Sequence, residues 1–297
     1  MAIVDLVNLF AASILLAGIY AAMSCGMTVI YGVMKIVNLA HAGFMMLGAY
    51  FAYELSQRTG LDPLLAAMLA VPLFFLLGVG THWLLVRWVP VSDEPTLPSL
   101  LLLFGLWLVL QNAGYVIWGA DDRSILGPLT MATFRIGEIV IPVIRLIVFV
   151  IAVLSLLALQ LFLDHTWFGR SVRALTQNRE AGQLVGIDVG QTAMCTFGLG
   201  IAFSGQAGAL LATLYSFTPD FGGQFMLRSF VIIVLGGLES FSGVAVGALI
   251  VAMIETFSIL VVPANYQLAI SFALLVVALV VLPGGVGRLL HRRHLGR

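Results

Sequence analysis

Long apolar stretches, separated by short polar or glycine- and proline-bearing clusters, divide the chain almost from end to end. Runs at residues 64–86, 97–117, 146–163 and 266–282 each approach the roughly 20 residues that an α-helix needs to cross bilayer hydrocarbon. Unpaired backbone groups are so costly in hydrocarbon that a spanning segment must be a helix or part of a closed barrel. These runs are continuous rather than alternating with period two, which selects helices. The pattern predicts an all-α fold, a polytopic transmembrane helical bundle treated as one domain over residues 1–297. About eight full spans are expected, near residues 9–31, 36–56, 64–86, 97–118, 142–163, 191–214, 242–262 and 266–283. A ninth apolar run at 230–238 is short, and is expected to cross as a short leg or to re-enter.

Composition sharpens this reading. The 297 residues are 61% hydrophobic and only 9% charged, where a soluble domain carries roughly 25% charged residues. Fourteen basic and fourteen acidic side chains are too few to wet a soluble surface of this size, and the mean hydropathy is +1.09. The lipid bilayer is therefore the expected surrounding. Net charge is zero and no basic patch interleaves with aromatics, so nucleic acid is not an expected partner. Cys25 and Cys195 both fall inside expected spans, which indicates neither a structural disulfide nor a metal site. The first run has Asp5 and no Lys or Arg before Lys35, so it reads as a mature span rather than a cleaved signal peptide.

Arginine placement sets the orientation. Arg288, Arg292, Arg293 and Arg297 in the tail, and Arg170, Arg173 and Arg179 in the 170–190 loop, belong on the cytoplasmic side. A span at 191–214 that starts inside puts residues 215–225 outside, and a last span that ends inside puts residues 263–265 outside. The segment between must cross twice or dip and return. Tracing backward puts the N-terminus outside and the C-terminus in the cytoplasm. With Lys35 and Arg87, nine of the fourteen basic residues then lie inside. "HAGFMMLGAYFAYE" and "FSGVAVGALIVAMIE" also echo one another, each starting at the cytoplasmic side and ending in a glutamate, Glu54 or Glu255. Internal repeats are common in transporters, though glycine and alanine are abundant enough here to produce such an echo by chance.

Few polar residues sit inside the apolar runs. Asn38 and His41 are three residues apart, which places them on one face of a helix. His41 can pair with a backbone carbonyl and Asn38 can cap the helix, or their face can line a translocation pathway near its cytoplasmic end. Gly43 and Gly48, like Gly243 and Gly247, suit close helix packing. Glu255 must be neutral or paired if it lies near mid-membrane, either as a substrate or ion site or in a structural hydrogen bond. Glu54 is close enough to an outer end to be interfacial. No HExxH sequence and no diagnostic Ser, His and acid spacing occur, so no catalytic residue is expected and no metal is called for. Lys35, the single lysine, follows no glycine-rich phosphate loop. If transport consumes ATP, another subunit must bind it.

The segment "RSVRALTQNREAGQLVGIDVG" at 170–190 is the most informative polar stretch. Residues 176–186 are expected to form a short helix with Ala181, Leu184 and Val185 on an apolar side and Arg179, Glu180 and Gln183 elsewhere. Gly186 would end it. A glycine-terminated helix on the cytoplasmic surface has a shape suited to another protein's cleft. Glu180-Ala181-Gly182, three residues and Gly186 resemble the Glu-Ala-Ala-x-x-x-Gly loop by which bacterial ABC-importer permeases dock on their ATPases, with Gly182 in place of the second alanine. "GMTVIYGVMKIVNLAHAGFMMLGAY", "VLGGLESFSGVAVGALI" and "SFALLVVALVVLPGGVGR", in that order, resemble the high-affinity branched-chain amino-acid permease family, H-type rather than M-type. The resemblance implies an inner-membrane complex with a second, M-type permease subunit, two cytoplasmic ATPase subunits and a periplasmic substrate-binding protein. ATP and Mg would then sit on the ATPases, and this chain would bind no cofactor. Relatives of this type import branched-chain or other amino acids, urea or short amides, and aromatic acids. The competing classes are a secondary transporter or channel that works alone through Glu255 or His41, and a purely structural membrane protein.

Overall fold

The computed structural model describes residues 3–89, 97–125, 127, 129–130, 132–137, 139–263 and 266–281. Asn265, the tail arginines Arg288, Arg292, Arg293 and Arg297, and the end of the expected last span lie outside the described residues. Within them the chain forms α1 (Ile3–Met34), α2 (His41–Thr59), α3 (Pro63–Leu84), α4 (Leu97–Trp118), α5 (Val143–His165), α6 (Trp167–Gln177), α7 (Arg179–Leu184), α8 (Val189–Leu211), α9 (Phe221–Gly236), α10 (Phe241–Ser258) and α11 (Gln267–Val281). Six of these, α1, α3 with the 3-10 turn that follows it, α4, α5, α8 and α10, are long and apolar enough to cross a membrane. The fold is thus an all-α polytopic bundle. One short antiparallel hairpin interrupts it, β1 (Thr133–Ile136) with β2 (Ile139–Pro142), in a register that pairs Phe134 with Ile141. The apolar pattern did not predict the hairpin.

Helix starts follow local chemistry. Asp62 caps α3 by accepting from the Leu64 amide at 2.8 Å, with Pro63 at the first helical position. Ser240 caps α10 through the Gly243 amide, and Asp188 caps α8 through the Gln191 amide. The start of α2 departs from the sequence expectation. Lys35 stands at φ 54°, a left-handed conformation unusual for a side-chain-bearing residue, and ends α1 there. The chain then runs without helix to a turn at Leu39 and Ala40, so α2 opens at His41 rather than near residue 36. Asn38 therefore precedes the helix and does not share a helical face with His41.

The interior is organised around α8, which is buried along most of its length, whereas α4 lies at the periphery with few buried positions. Small residues on α8 set the close spacing. A Cβ on Gly48 of α2 would collide with the Gly205 carbonyl of α8, and one on Gly208 would collide with the Met45 carbonyl. Gly43 faces Leu110 of α4, where a Cβ would come within 2.8 Å of its Cδ1. On the other side of the bundle, a Cβ on Gly243 would strike the Gly236 carbonyl, and one on Gly247 would lie 2.7 Å from the Ile232 carbonyl. These contacts lock α10 against α9 as α2 is locked against α8, by backbone approach that only glycine permits.

Two polar ends frame the apolar middle. At one end the Lys35 ammonium pairs with Glu239, and Arg173 pairs with Asp164 at 2.6 Å. At the other, Tyr115 donates to Asp220 at 2.6 Å and Trp118 donates to Glu54 at 3.0 Å, while Gln111 also donates to Asp220. There Asn8 also accepts from the Val140 amide at 3.1 Å, tying the hairpin to the start of α1. The helix α9, preceded by Asp220 and followed by the Gly237–Ser240 turn that holds Glu239, reaches from one end to the other.

Candidate functional site

The segment expected to contact an ATPase is built as two helices, not one over 176–186. Asn178 interrupts it at φ −157°, and its side chain caps α7 by accepting from the Ala181 amide at 2.9 Å. An asparagine hydrogen-bonds locally better than it continues a helix, which is why the break falls there. Preceding it, α6 is amphipathic. Ser171, Val172 and Leu175 face inward, Arg173 reaches back to Asp164, and Trp167 is exposed with Arg170 5.5 Å from its ring centre. Such a helix suits a membrane–water interface.

The α7 terminus has a Schellman geometry. The Ile187 amide donates to the Gly182 carbonyl at 3.1 Å, the Gly186 amide donates to the Gln183 carbonyl at 3.0 Å, and Gly186 adopts φ +85°. Gly182 is buried, and a Cβ there would lie 2.7 Å from a methyl of Leu175, so the two helices nest through that glycine. Glu180 and Ala181 are exposed, and Arg179 is half-buried. Leu184 and Val185 project at 89% and 76% exposure, an apolar pair too open for a packed core. Ala181, Leu184 and Val185, expected to share an apolar side, are thus all outward-facing.

His41 and Asn38 are both sealed. The imidazole Nε2 lies 3.0 Å from the Met23 carbonyl; a carbonyl only accepts, so Nε2 carries the hydrogen. The Ser204 hydroxyl donates to the His41 carbonyl at 2.7 Å. His41 therefore joins α1, α2 and α8. The Asn38 amide is fully buried and has no hydrogen-bond partner among the described residues, so it does not cap α2. Neither residue lines any of the three principal cavities.

Glu255 is the centre of a buried polar cluster that joins four helices. Arg228 of α9 donates through Nε to both carboxylate oxygens, at 3.0 and 3.3 Å. Tyr20 of α1 donates to Oε2 at 2.6 Å, and Ser271 of α11 donates to Oε1 at 2.5 Å. All four side chains are buried. The carboxylate is thus paired and its oxygens are satisfied, as a carboxyl group in hydrocarbon requires. The apolar pattern singles out neither Arg228 nor Tyr20. The apolar run proper begins at Phe230 and draws no attention to Arg228 on its flank, whereas α9 begins at Phe221 and carries Arg228 in its middle. A lone arginine one helix away from a lone glutamate was the available signal.

Two cavities flank the bundle along α1. One, of about 760 Å³ at the end that holds α6, is lined by Thr28 and Gly32 of α1 together with Asp164, Arg173, Gln177 and Glu239. The other, of about 490 Å³ toward the opposite end, includes Tyr20, Arg145, Arg228 and Glu255. Between them residues 21–27 of α1 are buried, including Met23, Cys25 and Met27. At about 1.5 Å per residue, Tyr20 and Thr28 are roughly 12 Å apart along the helix. A third cavity, of about 350 Å³, lies between Lys35 and the first turn of α7.

A permease built to pass a solute through a membrane is the class these features define: a multi-pass bundle, a cavity toward each end and a surface helix with exposed apolar residues. The chain matches the family described as "Branched-chain amino acid transport system / permease component" over residues 9–279. It is similar to the high-affinity branched-chain amino acid transport system permease protein LivH of Salmonella typhimurium, at 26% identity over 297 aligned positions that cover 91% of this chain and 92% of the relative. Similarity to LivH of Escherichia coli is 27%, over 91% of this chain and 92% of that one, and to BraD of Pseudomonas aeruginosa 28%, over 90% and 91%. No solved structure matches. The chain belongs to the branched-chain amino acid transport system permease component family. It is a translocation subunit of an ABC importer rather than an enzyme.

Proposed function

We propose that this chain moves branched-chain or closely related amino acids inward across the bacterial inner membrane, as one of two permease subunits of an ATP-driven importer. The family match over residues 9–279 carries this reading. Its partners would be a second, M-type permease subunit, two cytoplasmic ATPase subunits that bind ATP and Mg, and a periplasmic substrate-binding protein. The chain itself would need no cofactor. Its N-terminus lies outside and its C-terminus in the cytoplasm, with α2, α9 and α11 crossing in addition to the six longer spans. The gathering of Lys35, Arg170, Arg173 and Arg179 at the end that holds α6 and α7 supports that orientation.

Arg179, Glu180, Ala181, Gly182 and Gly186 form the coupling element in this reading. Leu184 and Val185 enter the ATPase cleft, Glu180 stays exposed for a polar contact, and Gly186 fixes the return of the chain to α8. Residues 21–27 of α1 are the closed section of the pathway, with Glu255 beside its outer opening. A pathway role for Asn38 and His41 requires α1 and α2 to part at their inner ends, since both residues are sealed in this conformation. Purification of the tagged chain from its native membrane tests the assembly. ATPase and second permease subunits should copurify in stoichiometric amounts; a chain that purifies alone while retaining solute uptake would indicate a secondary transporter or channel.

A further inference from the structure

The cavity beside Glu255 has a chemistry that the Glu255 cluster alone does not explain. Two arginines, Arg145 and Arg228, and one glutamate line it, leaving a net charge of +1. Glu255 is fully engaged by Arg228, Tyr20 and Ser271, so it offers nothing to an incoming ammonium group. Arg228 is held by its Nε edge, and the far edge of the guanidinium is left underused. Its Nη1 makes only a 3.5 Å contact with the Gln224 carbonyl, and its Nη atoms make no other hydrogen bond among the described residues. Glu255, with the Phe225 ring centre 5.3 Å from the guanidinium carbon, thus holds in place an arginine that lines the cavity and whose Nη atoms retain donor capacity. Opposite polar requirements meet there, because Phe221, Phe225 and Ile259 supply an apolar wall. The volume of about 490 Å³ falls within the range typical of small-molecule sites, roughly 300–1,000 Å³.

We propose that this cavity is a solute-binding site for a carboxylate-bearing molecule with a short apolar side chain, with Arg228 and Arg145 taking the carboxylate and Phe221, Phe225 and Ile259 the apolar group. A planar guanidinium presented edge-on recognises a carboxylate through charge-assisted hydrogen bonds. Gln224 and Gln267 provide neutral acceptors for an ammonium group. Glu255 is a positioning residue in this scheme, acting through Arg228. The inference rests on reading the chain as a permease and adds to it a recognition step in the membrane subunit itself.

The test uses the assembled importer in lipid nanodiscs without its binding protein, and a diazirine analogue of leucine as photoprobe. Labelled peptides, mapped by mass spectrometry, should come from α9 and α10 around Phe225 and Ile259. Leucine should displace the probe, and leucinol, which lacks the carboxylate, should not. Arg145 is exposed, so Arg145→Gln should fold and should weaken labelling about tenfold or more, as expected for loss of a charge-assisted hydrogen bond, while Arg145→Lys restores much of it. Ile259→Trp, which fills the apolar wall, should abolish labelling. Labelling that leucinol displaces as well as leucine does, or that ignores Arg145→Gln, overturns the proposal. ATP-driven leucine uptake by wild-type vesicles is measured in parallel. Uptake without cavity labelling overturns the site and leaves the permease reading standing; cavity labelling without uptake supports the site and overturns the transport reading.

Discussion

Arg228 and Glu255 neutralise one another in the apolar interior, and Tyr20 and Ser271 fill the carboxylate's remaining capacity. Removing one partner from a buried pair leaves an uncompensated charge, which costs about 3–5 kcal/mol, whereas replacing both with apolar or neutral groups is often tolerated. Glu255→Gln should therefore lower the yield and thermal stability of the purified complex, and combining it with Arg228→Met should recover stability without recovering uptake. Size-exclusion profiles taken over a temperature series measure the first, and vesicle uptake the second. Equal stability of Glu255→Gln and the unmodified chain would mean that the pair is not buried as described. Gly48 gives a second prediction. The atom opposite it is the Gly205 backbone carbonyl, which cannot rotate away as a side chain can. Gly48→Ala should cost about 1–3 kcal/mol as overpacking, visible as an earlier melting transition, while alanine at Gly80, which faces open space, should not.

The elements were unevenly legible in the sequence. Six apolar spans were found because hydrocarbon demands long runs with their backbone bonds closed internally, and that demand writes itself into composition. Local chemistry that competes with the run was not found. The apolar segment from Ile36 to Ala40 reads as helix, yet the left-handed Lys35 turns the chain and delays α2 to His41. The segment at 176–186 reads as one helix, yet Asn178 breaks it by capping the next. Glu255 is visible as costly, but the partner that resolves it sits in a helix that begins at Phe221, ahead of the apolar run at 230, and Tyr20 gives no signal because a tyrosine is unremarked in an apolar run. At this scale α7 is the element to perturb. Leu184→Lys, Gly186→Val and Glu180→Arg should each leave membrane insertion intact. The first removes an exposed apolar contact, the second forces a Cβ into φ +85°, and the third reverses an exposed charge. ATPase copurification or solute-stimulated hydrolysis should fall in each; if both are normal in all three variants, α7 is not the coupling element.

Across the whole molecule, charge and geometry sort the chain into two ends joined by an apolar middle with a cavity toward each end. Cysteine placed at Ser216 in a variant lacking Cys25 and Cys195 should react with an impermeant reagent added to intact cells, and cysteine placed at Gln177 should not; the opposite pattern would invert the orientation. The central claim is that this chain conducts a solute only when partner ATPases drive it. Vesicles holding the complete importer, the binding protein outside and ATP within the ATPase compartment, should accumulate labelled leucine, and vesicles holding this chain alone should accumulate none. Leucine accumulation by the isolated chain without ATP would contradict that claim directly.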